Sequence, residues 1–156
     1  MITWEEYKRS VVSEAPIFEN VRKGERESVL EYLERGGSLE EKNRRGHSLL
    51  MIAAYNDQMD LVRLLLDKGA DVDAMDTGGN TALMGVAFKG LTGIVALLLQ
   101  RGADPFLKNA QGMMAIDFAK MFSRRDVSML LSGEVPWSEP LPMPSSEGRG
   151  KSLSYY

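Results

Sequence analysis

The sequence predicts an all-α chain of about four helix-turn-helix units, on the strength of two glycine series and one duplicated apolar stripe. Gly46, Gly79 and Gly112 recur every 33 residues, as do Gly36, Gly69 and Gly102, a spacing that belongs to stacked repeats. Writing residues 43–75 over 76–108 aligns Ala54 with Ala87, Val62 with Val95, Leu64-Leu65-Leu66 with Leu97-Leu98-Leu99, and Gly69-Ala70-Asp71 with Gly102-Ala103-Asp104. The same frame runs backward onto Pro16-Ile17, Gly24, Val29 and Leu33, and forward onto Ile116, Ala119, Leu130 and Leu131. The units fall at about 15–42, 43–75, 76–108 and 109–132, the outer two less regular.

Each element then follows in chain order. Thr3-Trp4-Glu5-Glu6 fits a capping box, with Thr3 as N-cap and Glu6 reaching back, so residues 1–14 read as a capping helix that offers Ile2, Trp4, Tyr7 and Val11 for packing. Pro16 stands where a first helical turn tolerates a missing N–H, and it starts a helix. Within a unit, small residues such as Ala53 and Ala54 let two antiparallel helices approach, and Leu61-Val62 with Leu64-Leu65-Leu66 supply the second helix's apolar stripe. Gly24 and Gly90 suit a left-handed helix end; Asp57 and Ser123 occupy the same column and must adopt that shape at some cost. Gly36, Gly69 and Gly102 end the second helices in the same way. The last unit carries Arg124, Arg125, Asp126, Ser128 and Ser132 in more apolar columns, the polar outer face of a terminal repeat. From Gly133 to residue 156, Pro136, Pro140, Pro142 and Pro144 with Ser145, Ser146, Gly148 and Gly150 are unfit for regular structure and read as a flexible tail; the competing reading docks Trp137 and Leu141 on the stack or offers EPLPMP as a polyproline strand to a partner.

These features carry the resemblance. The stretches APIFENV, GHSLLMIAAYNDQMDLVRLLLDKGADVDAMD, GGNTALMGVAFKGLTGIVALLLQRGADP and NAQGMMAIDFAKMF make residues 15–132 similar to the ankyrin-repeat family, with the third and fourth units worded like small bacterial members. The resemblance implies a helix-turn-helix solenoid with short hairpin-like turns. The family's T-P-L-H signature is met only in part, by Ser48-Leu49-Leu50-Met51, Thr81-Ala82-Leu83-Met84 and Met114-Ala115-Ile116-Asp117, so weaker lacing of the turns is expected.

Composition narrows the function. The chain has 156 residues, 44% apolar and 26% charged, enough for one self-sufficient fold, and its lack of cysteine excludes disulfides and thiolate zinc sites. One histidine leaves no imidazole cluster, and no cofactor or metal is expected. A formal charge of −3 with pI near 5.3 argues against nucleic acid as a partner. No apolar run approaches the roughly 18 residues of a membrane span, and the acidic N-terminus is unlike an export signal. A cytoplasmic monomer is the expectation.

Catalytic chemistry finds no footing. Asp71, Asp73 and Asp76 resemble calcium ligands but lack the glycine and closing glutamate of a calcium loop. Gly150-Lys151-Ser152 has Ser145 where a phosphate loop needs glycine, and His47 has no activated nucleophile to serve. The expected function is non-enzymatic binding of another protein, one with an acidic patch; the alternative is an inhibitor or immunity-type protein that docks on an enzyme. By position, the resemblance implies a concave surface of turn tips and first-helix flanks. It would take Arg22 and Lys23 from the first unit, and Lys42, Arg44, Arg45, His47, Tyr55 and Asn56 around the second. Met75, Thr77, Asn80, Phe88 and Lys89 would come from the third, and Lys108, Gln111, Met113, Met121 and Phe122 from the fourth. Its N-terminal half is basic, to steer a partner, and its C-terminal half rich in Met and Phe, to anchor it.

Overall fold

The computed structural model describes residues 14–134; the anticipated capping helix and tail otherwise lie outside them. Eight helices follow one another: α1 Pro16–Lys23, α2 Arg26–Glu34, α3 Leu49–Tyr55, α4 Met59–Asp67, α5 Ala82–Lys89, α6 Thr92–Gln100, α7 Ala115–Met121 and α8 Arg125–Ser132. No strand forms among the described residues, where the single β-type pairing is an isolated bridge between Lys42 and Ser48. The chain divides into two compact units, Met1–Ala70 and Asp71–Tyr156.

The N-terminal unit holds two helix hairpins, α1–α2 and α3–α4, with α1 packed on α3. Its core is aliphatic: Val21, Val29, Leu49, Ala53, Ala54, Val62 and Leu65 are all fully buried. The two alanines explain the packing of α3, since a larger Cβ substituent there would hold its neighbours apart. Pro16 is the first residue of α1, as anticipated, and Gly24 closes that helix in the left-handed conformation. In the C-terminal unit α5–α6 and α7–α8 repeat the arrangement, α5 packing on α7 and α6 on α8. Val86, Ala87, Val95, Leu98 and Ala119 are fully buried at its centre. The second helices owe their stability to this burial, because eight or nine residues are too few for a helix to persist in water by itself.

Asp57 and Ser123 take φ of 57° and 56°, the strained left-handed shape their column requires. Gly79 and Gly112 occupy equivalent turns with φ of 75° and 76°. They differ in surroundings. A Cβ on Gly79 would lie 3.1 Å from the Ala110 backbone nitrogen and 3.3 Å from Asn109 Cα, whereas one on Gly112 meets nothing within 4 Å. Gly112→Ala is therefore expected to cost about 1 kcal/mol from conformation alone, and Gly79→Ala about 1 kcal/mol more, because the next turn's backbone must give way. Paired urea denaturation curves check the difference; equal losses would show that the turns do not press on each other.

Candidate functional site

The turns that precede α3, α5 and α7 share one construction. Asn43 Oδ1 accepts the backbone N–H of Arg45 at 3.0 Å and of His47 at 2.9 Å. Asp76 Oδ1 accepts those of Gly78 at 2.8 Å and Asn80 at 2.9 Å. Asn109 Oδ1 accepts those of Gln111 and Met113, both at 3.0 Å. Each turn is closed by its own backbone as well, from Asn43 N to His47 O, Asp76 N to Asn80 O and Asn109 N to Met113 O. An Asn or Asp side chain that mimics a backbone turn in this way fixes the projecting loop without a sheet. Within the C-terminal unit the turns are also tied together: Asn109 Nδ2 donates to Asn80 Oδ1 at 2.9 Å and Ala110 N to Gly78 O at 3.0 Å.

This lacing departs from the weakening that the incomplete signature suggests. Ser48 and Thr81 still cap α3 and α5, accepting from Met51 N at 3.2 Å and Met84 N at 3.4 Å. The outer two units lack the hydroxyl, with Ala15 and Met114 as their N-caps. Met114 has no oxygen to offer, although Asp117 Oδ2 accepts its backbone N–H at 2.8 Å. Met114→Thr would complete the reciprocal cap and is expected to stabilise the protein by about 1 kcal/mol, read as an upward shift of the denaturation midpoint.

On this frame the anticipated surface residues divide by unit. In the N-terminal unit Lys23, Lys42, Arg44, Arg45, Tyr55 and Asn56 are exposed, and Arg22 and His47 half-buried. The basic zone is less free than its composition suggests. Arg22 pairs with Glu14 and, at 3.5 Å, with Glu19; Lys23 reaches Glu19 at 3.4 Å. Asn56 Nδ2 is turned back onto the Ile52 carbonyl at 2.8 Å. Glu14 also accepts from Asn43 Nδ2 at 2.6 Å, joining α1 to the turn before α3.

Partial burial pushes the Glu14 pKa up, but the hydrogen bonds from Arg22 and Asn43 and the charges of Arg22 and His47 outweigh it, leaving the carboxyl below its ordinary 4.5. A depressed folded-state pKa contributes stability above the unfolded value, and that contribution is lost as pH falls through the folded one. The stability advantage of wild type over Glu14→Gln is therefore expected to be full near pH 7 and to shrink as pH falls below the ordinary carboxylate range, as urea midpoints across that range will show.

In the C-terminal unit Met75, Thr77, Lys108, Gln111, Met121 and Phe122 are exposed, while Asn80, Phe88, Lys89 and Met113 are half-buried. The Phe88 and Phe122 rings meet edge to face, centroids 4.5 Å apart at 77°, so the end of α5 and the turn after α7 present one apolar surface. Met121 is 61% exposed and Phe122 42%. Asn80 is committed to its turn, donating to both Asp76 oxygens at 3.2 and 3.3 Å and accepting from Asn109. Arg22, Tyr55, Phe88 and Met121 are one column of the repeat, and Lys23, Asn56, Lys89 and Phe122 the next.

Arg124 corrects the reading of a solvated outer face. It is half-buried, and its Nε donates to the Phe88 carbonyl at 3.0 Å, just as Gln58 Nε2, two periods earlier, donates to the Arg22 carbonyl at 2.9 Å. Both side chains satisfy the end of the preceding unit's first helix. They lie over Gly24 and Gly90, where a Cβ would come within 2.3 Å of Gln58 Oε1 and 2.8 Å of Arg124 Cδ. Sequence reasoning also missed Phe106, at 73% the most exposed large apolar residue of the described chain. Its signal was an aromatic in the column held by Glu40 and Asp73 in the preceding units.

The aspartates of the loops serve the backbone. Asp71 Oδ1 accepts Asp73 N at 3.0 Å, Asp73 Oδ1 accepts Asp104 N at 3.0 Å, and Asp104 Oδ1 accepts Phe106 N at 2.8 Å. Burial, with repulsion from Asp104 and Asp71, leaves the Asp73 carboxyl above its ordinary range despite the Asp104 N–H. Among the described residues no three acidic or imidazole groups gather as metal ligands, and no helix is long and apolar enough to cross a membrane.

A family model for ankyrin repeats in three copies matches residues 17–109, more than half of the chain. No curated protein matches the chain. The tied turns, the paired helices and the 33-residue register agree with that match over the first three repeats, and the fourth follows in the same register beyond it. The chain belongs to the ankyrin-repeat family, whose repeats are protein–protein interaction modules.

Proposed function

We propose that the protein binds another protein, without catalysis of its own, through the concave surface made by its turn tips and first-helix flanks. The observation that carries this reading is the exposure of Tyr55, Met121 and Phe122 at two adjacent columns at the ends of first helices, with Met75 exposed just before the Asp76 turn. Large apolar side chains held in water by a stiff scaffold are characteristic of interface centres. The rigidity of the turns lowers the ordering cost of association. The absence of cysteine suits work in a reducing compartment.

The test is capture from a lysate of the source cells by wild type and by a variant combining Arg44→Glu, Arg45→Glu and Phe88→Ala, both confirmed folded by circular dichroism. The proposal expects a protein retained by wild type and lost by the variant. Equal retention would move the site elsewhere. Assaying the captured protein with and without this chain then separates a scaffold, which leaves its activity unchanged, from an inhibitor, which abolishes it.

A further inference from the structure

The two units treat their charges differently. In the N-terminal unit the cations of α1 are neutralised locally, Arg22 by Glu14 and Glu19 and Lys23 by Glu19. In the C-terminal unit, five carboxylates are turned onto backbone N–H groups: Asp71, Asp73, Asp76, Asp104 and Asp117. Exposed Lys108 and Lys120 have no carboxylate within 4.0 Å among the described residues. Lys108 directly precedes the last turn and Lys120, twelve residues later, directly precedes Met121, so positive charge lies on the approach to α7 and near its C-terminal end. Beside its C-terminal end lie Phe88, Met121 and Phe122, two of them exposed.

From this arrangement we infer that the C-terminal unit takes an acidic segment of a partner protein carrying one large apolar anchor, with the anchor on Met121 and Phe122 and carboxylates facing Lys108 and Lys120. The inference rests on the proposed use of the first-helix flanks. It adds to the division expected from composition, in which the basic N-terminal half steers and the C-terminal half only anchors: steering and anchoring also share the C-terminal unit, while Arg22 and Lys23 of the N-terminal half are already paired. A purely apolar occupant would leave Lys108 and Lys120 unmatched, and a nucleic acid would leave the apolar surface without a counterpart.

Fluorescence anisotropy on the full chain tests it with four labelled probes: a ten-residue peptide with a central Phe-Leu pair flanked by Asp and Glu, the same peptide with Lys flanks, the same peptide with Ser-Ser for Phe-Leu, and oligo-dT. The acidic apolar peptide is expected to bind, the other three at least about tenfold more weakly, and added salt to weaken the complex several-fold. Lys108→Glu with Lys120→Glu, and separately Met121→Ser, are each expected to cost about tenfold in affinity. All three side chains are exposed, so the variants keep the fold, which circular dichroism verifies. Absence of binding by the acidic peptide, equal binding by the Lys-flanked peptide or by oligo-dT, or variants that bind like wild type would overturn the inference. Its failure is distinguishable from that of the broader reading: a partner still lost by the Arg44, Arg45 and Phe88 variant, yet not displaced by the acidic peptide, removes this inference alone.

Discussion

Leu98→Ala is expected to lower the unfolding free energy by about 3 kcal/mol, within the range found for truncating a fully buried leucine. Leu98 is wholly inaccessible in the middle of α6, which packs on both α5 and α8. The three carbons removed lose their burial, and a close-packed interior relaxes only partly into the space they leave. The equivalent leucine of the last repeat, Leu131, is half-buried, because its column faces the end of the array. Leu131→Ala should therefore cost only about 1 kcal/mol, in proportion to the smaller area withdrawn from water. Denaturant titrations of both variants check the pair. Equal costs would mean that the end of the array is as well packed as its interior, and the capping role of the last repeat would fall.

Asn109→Ala is expected to cost about 3 kcal/mol by a different route, the loss of three hydrogen bonds at a buried position. The Asn109 side chain accepts from Gln111 and Met113 and donates to Asn80, and the residue is 8% exposed. Alanine leaves two backbone N–H groups of its own turn without their acceptor and one amide oxygen in the neighbouring turn without its donor. Asn109→Asp separates the contributions. It keeps the acceptor, as Asp76 does naturally, but turns the donor facing Asn80 Oδ1 into a second acceptor, so it should still cost about 1–2 kcal/mol. Hydrogen exchange gives an independent readout: the Gln111 and Met113 amides should lose protection in the alanine variant and keep it in the aspartate one.

The contrast between these two residues explains how much of the molecule was legible in its sequence. Leu98 was visible because burial is periodic, and a periodic property can be read from one chain laid over itself. The helix pairs, the Pro16 start and the strained Asp57 and Ser123 follow from the same frame and agree with the structure. Asn43, Asp76 and Asn109 also recur every 33 residues, yet their role depends on where one oxygen points, which spacing alone does not state. Gln58 and Arg124 were harder still. Different in chemistry, they act alike only because each reaches the carbonyl at the end of the preceding unit's first helix, across a glycine with no side chain in the way.

The candidate surface was legible by register and not by charge. Columns identified which residues share a flank, and exposed Tyr55, Met121 and Phe122 lie on it. Columns did not show that Glu14 and Glu19 engage Arg22 and Lys23, nor that, among the described residues, aspartates are turned onto the backbone and none pairs with Lys108 or Lys120. Counting charges along a sequence treats every carboxylate as equally available. A carboxylate committed to a backbone N–H differs in orientation from one facing a surface lysine, and only coordinates distinguish them.

If partners are met on the first-helix flank as proposed, residues of that flank lie within covalent reach of a bound partner. The most direct test places a photoreactive phenylalanine analogue, one site at a time, at Tyr55 and Met121 on that flank and at Arg63 and Gly93 on the second helices, all four exposed positions. After irradiation in lysate, the account predicts one covalent adduct of the same mass from the Tyr55 and Met121 positions and none from Arg63 or Gly93. Adducts formed from Arg63 or Gly93 alone would contradict it and transfer the binding role to the second helices.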